Sequence, residues 1–261
     1  MKISDASWIF LDTETTGLKV REGARVIEVG LVDVQNMAIG FSVDYLINPG
    51  VPIPPKITQI TGITDQMVAK QGAFETKAQA IMQMLQGADF IAAYNKDFDR
   101  EMLENEFKLL GMTMPDKVWL DPMTWARFFA GLESNTLKNV ATQFKVSLEN
   151  AHRADADAEA SAKMMIKFIE WGTDQAGFPD DVEQLKTMER GWRKDMNAKS
   201  RILSPLRQKS KDAEGRTTNK VTMTGEPGKM PQDVYDSIQR GRVTAEEHLR
   251  LLQREKWSRR K

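Results

Sequence analysis

The sequence contains no cysteine and only two histidines, His152 and His248, among 261 residues. The first absence excludes disulfide scaffolds, zinc–thiolate sites, iron–sulfur clusters and cysteine nucleophiles together. Any metal must be held by oxygen or by one of the two imidazoles. Long apolar runs are missing too, and nothing approaches the roughly 20 residues of a membrane-spanning helix. The N-terminus runs straight into Trp8-Ile9-Phe10-Leu11, too short for a signal-peptide core, so a soluble, cytoplasmic protein is expected. Neither sign of charge is in excess, with 37 Lys+Arg against 37 Asp+Glu. Hydrophobic residues at 41% and aromatics at 8% suffice for a core, so wholesale disorder is excluded. The length fits one large domain, or one domain with an appendage.

The zero net charge hides a division. Residues 1–180 carry 17 basic and 25 acidic side chains, whereas residues 181–261 carry 20 and 12. An acidic body followed by a basic third suggests that the latter contacts a polyanion, or else forms a solvated mixed-charge tail.

Strand-like and helix-like patterns alternate along the body. Trp8–Glu14, Val26–Val34 and Phe41–Ile47 read as strands of an antiparallel meander. Ala78, Ile81, Met82 and Leu85 follow helical spacing, with Gly87 placed to end that helix. Asp89–Asn95 and Val118–Leu120 read as short strands, and Phe98–Leu110 and Leu137–Phe144 as helices. Asp121-Pro122 has the signature of a helix start. Ala154, Ala158, Ala162 and Ile166 form a small-residue stripe on a last helix. The class is α/β with a mixed sheet flanked by helices. We divide the chain into residues 1–175 and a basic, mostly helical extension, residues 176–261. The extension opens with a helix near Pro179 carrying Val182, Leu185, Met188, Trp192 and Met196. Residues 212–231 read as a linker. Helical patterns return at Val234–Arg240 and, after a capping box Thr244-Ala-Glu-Glu247, at Leu249, Leu251 and Leu252.

The sharpest signal is Asp12-Thr13-Glu14-Thr15-Thr16-Gly17. Residues two apart on a strand project from one face, so Asp12 and Glu14 present their carboxylates together. Two such charges about 4 Å apart repel by about 4 kcal/mol at an effective dielectric near 20. They must share a proton, find cations or bind a metal; capping a turn is the bland alternative. Two further acidic clusters stand at element boundaries, Tyr94-Asn95-Lys96-Asp97-Phe98-Asp99 and His152-Arg-Ala-Asp-Ala-Asp157. Carboxylate oxygens converging on one sheet edge make the hard-ligand environment that Mg²⁺ or Mn²⁺ prefers.

The order DTETTG, YNKDFD, HRADAD resembles the DEDDh branch of the DEDD 3′–5′ exonucleases, the DnaQ-like group that includes ribonuclease T. The resemblance covers about residues 6–171 and takes in Ile60-Thr61-Gly62-Ile63-Thr64, similar to the family's substrate loop. It implies a ribonuclease H-like fold and a two-ion Mg²⁺ or Mn²⁺ site held by Asp12, Glu14, Asp99 and Asp157, with His152 as general base. The H-x4-D spacing selects Asp157 over Asp155, and the family pattern selects Asp99 over Asp97. Thr15, Thr16, Gly17, Leu18, Ile63, Asn95 and Phe98 match positions that would hold the 3′-terminal nucleotide. For Ile63 and Phe98, core packing is the competing assignment. Thr61 and Tyr94 stand where the family often has histidine, and Lys96 and Asp97 where its residues are usually small.

The expected activity is release of nucleoside 5′-monophosphates from single-stranded 3′ ends, DNA favoured. An RNA 3′-end trimmer and a non-catalytic nucleic-acid or polymerase-binding scaffold are the alternatives. In the extension, Arg193, Lys194, Lys199, Arg201, Arg207, Lys209 and Lys211 could track a nucleic-acid backbone, with Trp192 either stacking on a base or packing its helix. The terminal helical patterns could dock on a polymerase or another protein partner.

Overall fold

Five strands build one sheet in the order β3-β2-β1-β4-β5 in the computed structural model, which describes residues 1–129, 136–147, 153–175 and 178–194. β1 (Ser7–Thr15), β2 (Val26–Gln35) and β3 (Ala38–Leu46) form the expected antiparallel meander. β4 (Phe90–Ala92) and β5 (Val118–Leu120) add parallel to β1, so the sheet is mixed. α1 (Pro55–Thr61), α2 (Asp65–Val68) and α3 (Glu75–Gly87) lead to β4. α4 (Lys96–Leu109) joins β4 to β5, and α5 (Pro122–Phe129), α6 (Leu137–Gln143) and α7 (Ala154–Gln175) follow. Residues 182–194 are helical as well, hereafter α8.

Side-chain alternation along β1 divides the core. Trp8 and Phe10 enter one buried cluster, with Ala158, Ala162, Met165 and Phe168 of α7. Ile9 and Leu11 enter the other, with Met102, Leu103 and Phe107 of α4. β1 is therefore buried on both faces, which explains its nearly continuous apolar run. The small-residue stripe has the role its spacing implied: Ala154, Ala158 and Ala162 are fully buried, letting α7 lie close on the sheet.

Local details depart from expectation in two places. Gly87 is the last residue of α3 and Ala88 its cap, with no left-handed turn, whereas Gly111 after α4 takes φ +69°. The Ile60–Thr64 stretch joins two short helices: Gly62 closes α1 at φ +73° and Thr64 caps α2 by accepting from the Met67 amide.

The packing also continues beyond residue 175. Phe178, Val182, Leu185 and Trp192 are buried in the same cluster as α7. Asp181 caps α8 by accepting from the Gln184 amide, and also binds the N-terminal ammonium at 2.8 Å. Trp192 lies 4% exposed with its ring 5.4 Å from that of Phe178, so it packs its helix instead of offering a face to a base. Met196, the basic residues 199–211, the expected linker 212–231 and the terminal helical patterns lie outside the described residues.

Candidate active site at the end of β1

Asp12 and Glu14 continue the Trp8–Phe10 face of β1, and that face is covered by α7. Asp157 lies in the first turn of α7 and is 9% exposed. Carboxylate oxygens of Asp12, Glu14 and Asp157 consequently lie within 4.8 Å of one another, as a metal ion requires. Asp99 reaches the strand end from the opposite face. Its Oδ1 accepts from the Thr13 amide at 2.9 Å and the Thr13 hydroxyl at 2.8 Å, because Thr13 continues the Ile9–Leu11 face toward α4. Asp99 thus stands beside the set of three, with one oxygen already occupied.

Burial and mutual repulsion govern the protonation of these groups. Glu14 is pushed up from 4.5 to about 8, first by burial and then by Asp157, Glu28 and Asp99, with Arg153 opposing. Burial also pushes Asp99 up to about 7, against the two Thr13 hydrogen bonds. Asp12 rises well above the usual carboxylate range, through burial and then through Asp99, Glu14 and Asp157. Acidic oxygens held together at such electrostatic cost form a donor set that fits a hard divalent cation.

The start of α7 is fixed by a residue the motifs did not reveal. Glu28, fully buried and directly across from Glu14 on β2, accepts from the Arg153 Nε and the Ala154 amide, both at 2.8 Å. Arg153 also donates to Asp44 at 3.0 Å. An acid inside the apolar run Val26–Val34, which also holds Asp33, was the only sequence signal for Glu28. His152, immediately before Arg153, lies outside the described residues.

The nucleotide-contact candidates separate by exposure. Thr15 and Thr16 are buried and fold their own turn: the Thr15 hydroxyl donates to the Gly17 carbonyl, and Thr16 Oγ1 accepts from the Arg25 amide. Arg25 pairs with buried Glu106 of α4 through two bonds of 2.8 Å, which pins this turn to the helix carrying Asp99. Leu18 is 78% exposed. Asn95 is exposed with φ +70°, and Phe98 is half-buried against the α4-side cluster. Ile63 is fully buried among Ile27, Ile53 and Val68, so its side chain belongs to the core and offers no face to a base. Thr61 is structural as well, accepting from the Ile63 amide at 3.0 Å.

Comparison with known proteins agrees with this geometry. Residues 9–165 match the family model of RNase T type described as "Exonuclease". The 3′-5′ exonuclease DinG of Bacillus subtilis (strain 168) is 33% identical over 164 residues, covering 62% of this chain and 18% of that protein. A PolC-type DNA polymerase III of Caldanaerobacter subterraneus subsp. tengcongensis is 32% identical over 167 residues, covering 64% of this chain and 12% of that protein. The chain thus spans less than a fifth of either relative's length. Among solved structures, exonuclease X in complex with 5′ overhanging duplex DNA superposes with a TM-score of 0.55 at 23% identity, over 70% of this chain and 99% of that one. The nuclease domain of 3′hExo, a DEDDh family member bound to rAMP, gives 0.57 at 14% identity, over 66% and 96%. At such identities the likeness is one of fold, whereas the family match extends over more than half of the sequence. The chain belongs to the RNase T-type exonuclease family, which its residues 9–165 match.

Proposed function

We propose that the protein is a divalent-metal-dependent 3′–5′ exonuclease that releases nucleoside 5′-monophosphates from single-stranded DNA 3′ ends. The observation carrying this reading is the convergence of Asp12, Glu14 and Asp157 at one strand end, with Asp99 held beside them by Thr13. These four carboxylates would hold two Mg²⁺ or Mn²⁺ ions, which supply an acidified water and neutralise charge developing on the phosphate. His152 would act as the general base toward the attacking water. Leu18, Asn95 and Phe98 meet the terminal nucleotide; Thr15, Thr16 and Gly17 shape the turn that presents Leu18, and Ile63 contributes through its backbone alone.

DNA is favoured because one relative is by name a DNA polymerase III of PolC type, and exonuclease X is in complex with 5′ overhanging duplex DNA. Residues 195–261 would engage the nucleic-acid strand, a polymerase or another protein partner. The test uses 5′-labelled single-stranded DNA and RNA with Mg²⁺, Mn²⁺ or chelator. A ladder of shortening DNA that disappears with chelator and in Asp12→Ala supports the proposal. Faster shortening of RNA reassigns the substrate, and cleavage of neither polymer overturns the enzymatic reading.

A further inference from the structure

Lys96 and Asp97 depart from the family pattern, and the structure supplies a partner for each. Both contact α8, which lies outside the matched residues 9–165. The Lys96 ammonium is held between the Trp119 carbonyl and Glu189 of α8. Asp97 accepts from Arg193 of α8. Glu189 is 1% exposed, and its other oxygen accepts from the Asp121 amide at 2.7 Å and the Trp125 indole at 3.0 Å. Asp121 is fully buried; it takes a bond from Arg193 and accepts from the Asn95 amide at 3.0 Å.

This network lies under the turn that opens α4. Asn95 is left-handed and makes no side-chain cap, so its conformation depends on what holds its amide. Asp121 does so, and is itself oriented by Glu189 and Arg193. Asp99 follows Lys96 by three residues, one helical turn, and its carboxylate has Thr13 as a support from the strand side. Removing Glu189 leaves the largely buried Lys96 ammonium with the Trp119 carbonyl alone. Such a charge leaves the interior for water and draws the first turn of α4 with it.

We propose that Glu189 and Arg193 are positioning residues for Asp99, acting through Lys96 and Asp121, so that a helix beyond the exonuclease motifs sets the metal affinity of the site. The proposal rests on the metal-dependent reading above. Carboxylates that orient a metal ligand directly are worth roughly 10–100-fold in metal affinity. Glu189 acts one link further away, so the expected effect of Glu189→Gln is about 5- to 20-fold.

The experiment measures Mn²⁺ binding to the full chain, by free-ion electron paramagnetic resonance and by calorimetry, together with thermal midpoints. Leu185→Ala removes a fully buried side chain of the same helix outside the network and reports the effect of destabilisation alone. The expected result is weaker Mn²⁺ binding in Glu189→Gln, with Leu185→Ala within about twofold of wild type at a comparable loss of midpoint. Arg193→Met, at a partly exposed position, shifts binding in the same direction and serves if Glu189→Gln does not fold. Wild-type binding in Glu189→Gln or in a folded Arg193→Met overturns the proposal, as does equal weakening in Leu185→Ala. Asp12→Ala separates the two hypotheses: if it binds Mn²⁺ like wild type, the metal-site reading itself fails.

Discussion

The crowded carboxylates make stability depend on pH in an unusual direction. Glu14 has a pKa near 4.5 in the unfolded chain and about 8 in the folded one, which at 1.36 kcal/mol per pKa unit amounts to about 5 kcal/mol. Below pH 4.5 the proton is bound in both states and the full stability is present. Between 4.5 and about 8 the folded protein holds a proton that the unfolded chain has released, so stability falls as pH rises. The contribution of Glu14 is lost once the folded group ionises. Asp99, raised to about 7, acts in the same direction over a slightly lower window. Asp12, also raised by burial and its acidic neighbours, acts in the same direction; a proton on one carboxylate relieves the others, so the contributions do not add and Glu14 supplies the scale. From pH 5.5 upward about 3.5 kcal/mol of this is lost, which for a domain of this size corresponds to a fall in Tm of about 7–14 °C. The assay is calorimetric melting of chelator-treated protein from pH 5.5 to 8.5, beside Glu14→Gln, which removes that titration. The wild-type Tm should fall more steeply than the variant's. Saturating Mn²⁺ should reverse the slope, because binding to ionised carboxylates releases protons. A wild-type profile that is flat, or parallel to that of Glu14→Gln, would refute the reasoning.

Other perturbations test separate parts of the structure. Glu28→Gln should destabilise by about 2–3 kcal/mol, below the usual loss for a broken buried pair because Arg153 is one-third exposed and keeps Asp44; urea melts measure it. Exonuclease activity should fall at least about tenfold, because the start of α7 carries Asp157. Gly172→Ala would place a Cβ closer than 3.0 Å to ring carbons of Phe178, itself packed by Trp125, Phe168 and Trp192; the overpacking should cost about 1–2 kcal/mol despite alanine's helix preference. A chain ended at residue 175 should fail to give a cooperative melt, because it leaves the first cluster and Lys96 without α8. One ended at 194 should still cleave short oligonucleotides, while binding long strands more weakly and with a shallower salt dependence.

The meander, both parallel strands, and helices α3 to α7 were legible because hydrophobic period and turn chemistry coincide there. The convergence of Asp12, Glu14 and Asp157 was legible because strand alternation and the start of a helix bring carboxylates to one edge, where their oxygens lie within 4.8 Å of one another. What escaped depends on partners distant in sequence. Glu28 meets Arg153 from 125 residues away, and Lys96 meets Glu189 from 93, separations that no local periodicity can encode. Ile63 illustrates the converse: motif position suggested a nucleotide contact, but the closed cluster with Ile27 and Ile53 decided its burial. Trp192 illustrates it too, since its helical stripe already pointed to packing and Phe178 supplied the partner.

These pairings also explain how a chain with no net charge can keep an acidic site. Arg25 is engaged by Glu106, Arg153 by Glu28 and Asp44, and Arg193 by Asp97 and Asp121. The acids they serve shape the turn after β1, the start of α7 and the start of α4, the three backbone segments that carry or flank the proposed ligands. A guanidinium paired directly with Asp12 or Glu14 would lower that carboxylate's pKa and compete with a cation for its oxygens. Arg153 opposes the rise of Glu14 without preventing it. The arginines thus position the site from behind, and Asp12, Glu14 and Asp99 are left holding protons that a divalent cation would displace.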